Sequence, residues 1–203
     1  MSWQQTPAPE QRRSTAGTAL RVILLFVAGL YVIETLDQLS GSRLQRAGGL
    51  EPRQTDDLGG ILFAPLLHGP WTHLMANTVP LLVFGFLLLL AGVRRWLAVT
   101  AVVWLVGGVG VWLTGAAGTV HVGASVLVFG WLVYLLLRGF FSGHPGQLVL
   151  GVLLLLLYGG VLWGVLPGQP GVSWQGHLFG AVGGGLAAWW WGRADRSSRQ
   201  PRG

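Results

Sequence analysis

The stretch THLMANTVPLLVFGFLLLLAG, residues 72–92, carries no Asp, Glu, Lys or Arg. It is long enough for a helix to cross a hydrocarbon layer about 30 Å thick. In lipid the backbone has no water to bond, so such a run must be a helix or a strand of a closed barrel. Barrel strands are shorter and alternate polar with apolar residues. This run does neither, so it reads as a transmembrane helix.

Outward from it, similar runs lie at about 18–36, 96–114, 123–138, 147–166 and 175–192. The expected fold is therefore an all-α membrane protein, a bundle of six transmembrane helices. The composition agrees. Of 203 residues, 52% are hydrophobic and 10% charged, against about 25% charged in an ordinary soluble domain. The mean hydropathy is +0.57. The 33 glycines suit helices that pack backbone to backbone in lipid.

All 13 basic residues are arginine, and they do not form one patch, so no nucleic-acid partner is expected. They fall at the ends of the apolar runs. Arg12, Arg13 and Arg21 flank the first, Arg94 and Arg95 separate the second from the third, and Arg138 ends the fourth. Arg193, Arg196, Arg199 and Arg202 follow the sixth. Six crossings put these ten on one side, against Arg43, Arg46 and Arg53 on the other, where Glu51, Asp56 and Asp57 offset them; the positive-inside rule makes the side with ten cytoplasmic. Both termini are then cytoplasmic. Residues 1–17 form a polar tail with no evident signal peptide, 18–192 the membrane domain, and 193–203 a basic tail. Residues 37–71 form a long outer loop, part of which is expected to dip into the interface.

Several chemistries are excluded. There is no cysteine, hence no thiolate nucleophile. No Asp or Glu occurs between Asp57 and Asp195. That removes a membrane aspartyl protease and an H-E-x-x-H zinc protease, and disfavours a coupled carrier built on buried acids. Without lysine there is no Ser–Lys dyad. Serine and threonine remain as nucleophiles, and histidine as base.

Of nine serines only Ser125 lies inside an expected span. His68, His73, His121 and His177 fall near the outer ends of the second, fourth and sixth spans, and His144 in a cytoplasmic loop. Singly, Ser125 could be a packing residue or helix cap, and His177 an interfacial histidine satisfied by water. Jointly, Ser125, His177, and His73 with Asn77 lie at one depth, within about two turns of those ends. Polar groups at such depth are costly and usually functional. The i, i+5 spacing of His68 and His73 does not put both on one helical face, so neither a metal nor another cofactor is expected.

HGPWTHLMAN at 68–77, GAS at 123–125 and GHLFGAVGGG at 176–185 together resemble the rhomboid family of intramembrane serine proteases, in its bacterial six-span form. GLEPR at 49–53 is similar to a short motif of the family's first outer loop, although its W-R motif is not evident. The resemblance implies that Ser125 is the nucleophile and His177 its base. It implies that His73 and Asn77 stabilise the oxyanion, that His68 supports the loop near the site, and that Phe129 stacks on the imidazole. The family's G-x-S-G reads G-A-S-V here, and Val126 could narrow the oxyanion site.

Gly176, Gly180 and Gly184 repeat every fourth residue, and are expected to seat the sixth span against Gly123 and Gly130 of the fourth. The implied activity is cleavage of single-span transmembrane substrates near the outer face. The protein would be a multi-pass one surrounded by membrane lipid, in the plasma membrane of a bacterium. The alternative is a catalytically inactive relative that binds membrane clients.

Overall fold

The computed structural model describes residues 15–198. The polar tail through residue 14 and the end from residue 199, with Arg12, Arg13, Arg199 and Arg202, lie outside the described residues. The described chain is helical, with no β-strand; one isolated bridge joins Leu50 to His121. Helices α1 (Ala16–Leu39), α4 (Trp71–Leu89), α5 (Val93–Thr114) and α6 (Ser125–Ser142) are each long and apolar enough to cross a membrane. So is the segment Pro145–Val165. Helix α8 (Trp174–Ser197) has the length but is not among those five candidate spans. Its stretch of glycine and its arginines lower its hydropathy.

Two spans differ from the sequence expectation. The fifth run is not one helix. It is α7 (Pro145–Tyr158) followed by a 3₁₀ segment, Gly159–Val165. The change falls at the Gly159–Gly160 pair, where an α-helix is weakest. The sixth continues past residue 192 to Ser197, held there by a bidentate ion pair between Asp195 and Arg95 at 2.9 and 3.0 Å.

The long first loop is largely ordered by tertiary contacts. It contains the short helices α2 (Arg43–Gly48) and α3 (Gly60–Phe63). Asp37 Oδ1 accepts from the N–H groups of Leu44 and Gln45, at 2.7 and 3.2 Å, and so caps α2. The loop then lies along α5, where the Trp104 and Trp112 indoles donate to the carbonyls of Ile61 and Gln54.

Helix α6 is the centre of the bundle. Its residues Leu127, Trp131, Leu132, Tyr134 and Leu135 are fully buried. Against it lies α8, packed through glycine. A Cβ on Gly180 would overlap the Val126 carbonyl oxygen, and one on Gly184 the Gly130 carbonyl oxygen. This is the close backbone approach that small residues permit in membranes. The remainder of the expected glycine seam is different. Gly176 faces Ser173 and Val111, and Gly123 faces the His73 ring. The 4-residue period predicts one face for Gly176, but at its start α8 has reached α5 rather than α6.

The bundle has two chemically distinct ends. Arg95 reaches both Asp195 and, at 3.4 Å, Tyr134 Oη. That ties the start of α5 to the middle of α6 and the end of α8, at an arginine end. The starts of α4, α6 and α8 meet at the other.

Candidate active site

Residues 121–125 turn from a loop into α6 under tight constraint. Gly123 has φ +123°, a region that only glycine adopts without strain, and a side chain there would strike the His73 imidazole. Its N–H donates to the Ala64 carbonyl at 2.9 Å. The next N–H, of Ala124, donates to His68 Nε2 at 3.2 Å. Burial, with His73 beside it, pushes the His68 imidazole down to about 3, so it is neutral at pH 7 and accepts this bond. The strand of loop before α6 is thereby pinned at consecutive residues.

Ser125 opens α6 and is 9% exposed. Its Oγ lies 3.0 Å from His177 Nε2, in the first turn of α8. His177 Nδ1 lies 2.8 Å from the Gly164 carbonyl oxygen. A carbonyl only accepts, so Nδ1 carries the proton and Nε2 is left as the acceptor for the serine hydroxyl. Phe129, one turn below Ser125, stacks on the imidazole with centroids 4.0 Å apart and planes 9° from parallel. The imidazole is thus fixed in tautomer and in plane without any carboxylate.

Across from the serine, α4 presents His73 and, one turn on, Asn77. They share with Ser125, Phe129 and His177 a cavity of about 630 Å³. Asn77 is buried, and its Nδ2 has no hydrogen-bond partner. A buried amide left unmade is costly, and here it belongs to a cavity wall. The N–H groups of Ser125 and Val126 occupy the first turn of α6, where no intrahelical acceptor exists and the helix dipole favours negative charge.

Val126 does not line that cavity, but with Gly123, Ser125, His121 and Ser173 it lines a small second one of about 30 Å³ against α5. Its side chain fills the space that a Cβ on Gly107 of α5 would take, and approaches Gly180 of α8. The residue in place of the second glycine of G-x-S-G thus takes part in helix packing, on the side of Ser125 that faces α5 and α8.

Two groups have no counterpart in the sequence reading, the Gly164 carbonyl and Ser173. His121 was expected near an outer end but without partners: its Nδ1 lies 2.7 Å from Ser173 Oγ, and its Nε2 lies 2.9 Å from Thr119 Oγ1. Ser173 Oγ in turn accepts from the Gly176 N–H, as the cap of α8. Burial lowers the His121 pKa, keeping a neutral ring between loop and helix. The available signal was Ser173 standing immediately before an expected helix.

This geometry can be set against known proteins. The uncharacterized protein Rv1337 of Mycobacterium tuberculosis H37Rv is 52% identical over 185 residues, 87% of this chain and 77% of that protein. The uncharacterized protein ML1171 of Mycobacterium leprae is 49% identical, over 87% of this chain and 73% of that protein. YdcA of Bacillus subtilis 168, whose name gives it only as a candidate rhomboid protease, is 33% identical over 60% of this chain and 61% of that protein. The model of the Rhomboid domain matches residues 56–194, a span that holds the loop, the serine, the imidazole and every cavity residue described above, and by that match this multi-pass membrane chain belongs to the rhomboid family.

Proposed function

We propose that the chain is an intramembrane serine endopeptidase, which cuts single-span membrane proteins near the outer face of the bilayer. The observation that carries this is the 3.0 Å contact from Ser125 Oγ to a His177 whose other nitrogen is held by a backbone carbonyl. A serine hydroxyl is a poor nucleophile until a base takes its proton. On this reading His177 Nε2 takes it as Oγ attacks the scissile carbonyl. The oxyanion forms beside the Asn77 amide, the His73 ring and the Ser125 N–H. His177 then gives the proton to the leaving amine, and an acyl-enzyme remains on Ser125. Water enters the cavity and attacks the acyl carbon as His177 takes its proton; His177 returns that proton to Ser125 Oγ as the Oγ–acyl bond breaks, and the acyl group is released as a carboxylic acid. The family generally does this chemistry, which supports the reading.

The topology that goes with it has α8 as a sixth crossing and both termini cytoplasmic, in a bacterial plasma membrane. It is supported by Arg94, Arg95, Arg138, Arg193 and Arg196 at the end opposite the serine, against Arg43, Arg46 and Arg53 in the first loop, which Glu51, Asp56 and Asp57 offset in charge. The domain limits at 18–192 belong to the same proposal.

The test is a fluorophosphonate probe and a cleavage assay against a generic single-span substrate. The wild type should be labelled and should cut. Ser125→Ala should lose both at unchanged folding, and Asn77→Ala should lower kcat by about 10²–10³. A wild type that captures the substrate uncut and resists the probe would be an inactive, client-binding relative. Cleavage retained in Ser125→Ala would remove the dyad.

A further inference from the structure

We propose that His121 is a positioning residue for His177: bonded to Ser173, it fixes the first turn of α8 against the loop that enters α6, and so sets the approach of the imidazole to Ser125. Its effect on rate rests on the peptidase reading; its effect on geometry does not.

Two serine–histidine pairs join the same two stretches of chain. His121 Nδ1 lies 2.7 Å from Ser173 Oγ, and Ser125 Oγ lies 3.0 Å from His177 Nε2. Each member of the second pair follows a member of the first by four residues, about one helical turn along α8. On α8 the two pairs are joined directly, since the His177 N–H donates to the Ser173 carbonyl at 3.1 Å. On the other side they are joined through residues 122–124, pinned by the bonds to Ala64 and His68.

Every proton of the first pair has a fixed direction. Thr119 Oγ1 donates to the Ala116 carbonyl at 2.7 Å, so it accepts from His121 Nε2 at 2.9 Å. Burial lowers the His121 pKa, which leaves a neutral ring with its one proton on Nε2 and an acceptor at Nδ1. Ser173 Oγ therefore donates to Nδ1 while it accepts from the Gly176 N–H at 3.3 Å. The bond needs an acceptor at 121 and a hydroxyl at 173.

The anchor is rigid, and what it holds is otherwise held at one side. The His121 N–H and carbonyl each bond Leu50, at 2.9 Å. Gly115 leaves room for the ring, because a Cβ there would stand 3.1 Å from Nε2. Ahead of α8, by contrast, residues 166–171 are exposed, and the chain turns at Gly168 and Gly171, with φ +107° and +73°. The close approach of α8 to α6 begins at Gly180, three residues beyond His177. The Gly164 carbonyl and Phe129 orient the imidazole ring, but the place of its Cα depends on the helix. The bond from Ser173 to His121 fixes that helix on the other side of His177.

The experiment uses the full chain in mild detergent with a single-span substrate, and takes kcat and KM separately. The wild type should cut and Ser125→Ala should not, which tests the peptidase reading by itself. His121→Phe keeps an aromatic ring and removes the acceptor. It should lower kcat about 10²-fold, the effect of a displacement of about 1 Å, and leave KM within about two-fold of wild type. His121→Asn, whose Oδ1 can stand in for Nδ1, should recover most of that loss. Ser173→Ala should also lower kcat, and the double variant should lose no more than the slower single one. Unchanged kcat in His121→Phe, no recovery in His121→Asn, or losses that multiply would overturn the proposal. A raised KM at unchanged kcat would make His121 a substrate contact and overturn it too. Should His121→Phe not fold, Ser173→Ala and Ser173→Thr replace it: a loss that the threonine hydroxyl restores supports the bond, and equal kcat in both overturns it. If the wild type does not cut, the peptidase reading fails, and a crystal structure of His121→Phe decides the geometry. Ser125 Oγ and His177 Nε2 parted beyond hydrogen-bond distance would support the positioning role, and a retained contact would overturn it.

Discussion

Val126 shows how a single position gains a second role once more than its neighbours in sequence are known. Beside a nucleophile it looks like an obstruction. In the fold its Cγ2 lies against Gly107 and Gly180, and it is 7% exposed. Val126→Gly should therefore act on stability. It removes buried methyls and adds helix flexibility, at a cost of about 2–4 kcal/mol. Thermal unfolding should fall accordingly, while kcat measured well below the transition stays within a few-fold of wild type. Adding Gly107→Ala should return part of the lost stability by filling the space. A variant with raised kcat and unchanged unfolding would show that the valine does crowd the oxyanion site. The polar residues were easier to read than this valine. Ser125, His73, Asn77 and His177 stand out because each interrupts an apolar run near its end. The Gly164 carbonyl could not be seen, since every residue has a carbonyl and only the fold selects one. His121 was visible as a histidine, but its bond to Ser173 spans 52 residues of sequence.

Among the elements, the run lengths of four long helices were legible because hydrocarbon imposes them. The short helices of the first loop were not. They are held by Asp37, by the α5 indoles and by the bridge from Leu50 to His121, and none of these is a local signal. The join of α6 to α8 is where an element controls the site. Gly184 lies seven residues beyond His177, about 10 Å along the axis. A Cβ there has no room beside the Gly130 carbonyl. Gly184→Ala should push the helices apart at an overpacking cost of about 1–3 kcal/mol. Because a displacement of about 1 Å can cost 10²-fold in rate, the variant should lose most cleavage and most fluorophosphonate labelling. Gly185→Ala is the matched control, since its Cβ would meet only side-chain carbons at 3.8 and 4.0 Å. Equal activities in the two alanine variants would mean that the seam does not set the distance from base to serine.

At the scale of the whole molecule, the two ends meet different conditions if the proposed orientation holds. The serine end would face outside, where pH varies more than in the cytoplasm. His68 is the group there most exposed to that variation in energetic terms, although it is fully buried. Its ordinary pKa is 6.5, and burial holds it at about 3 in the folded chain. The unfolded chain takes up a proton below 6.5 that the folded chain refuses until about 3. Stability from this group is thus fully present above pH 6.5 and is lost progressively as pH falls towards 3. The slope is at most about 1.4 kcal/mol per pH unit. His121, also lowered by burial, acts in the same direction, so the contribution of His68 must be taken by difference. His68→Gln should unfold at lower temperature than wild type at pH 7.5, having lost the acceptor for the Ala124 N–H or replaced it imperfectly. Between pH 7.5 and 4.5, however, its unfolding temperature should fall less steeply than that of wild type. Parallel slopes would show that His68 does not carry the acid sensitivity. In vesicles of known orientation, acid applied only to the face bearing the serine end should reproduce the effect. Acid sensitivity that followed the pH on the arginine side would instead exclude His68 as its source, because His68 is bonded to the backbone that leads directly into Ser125.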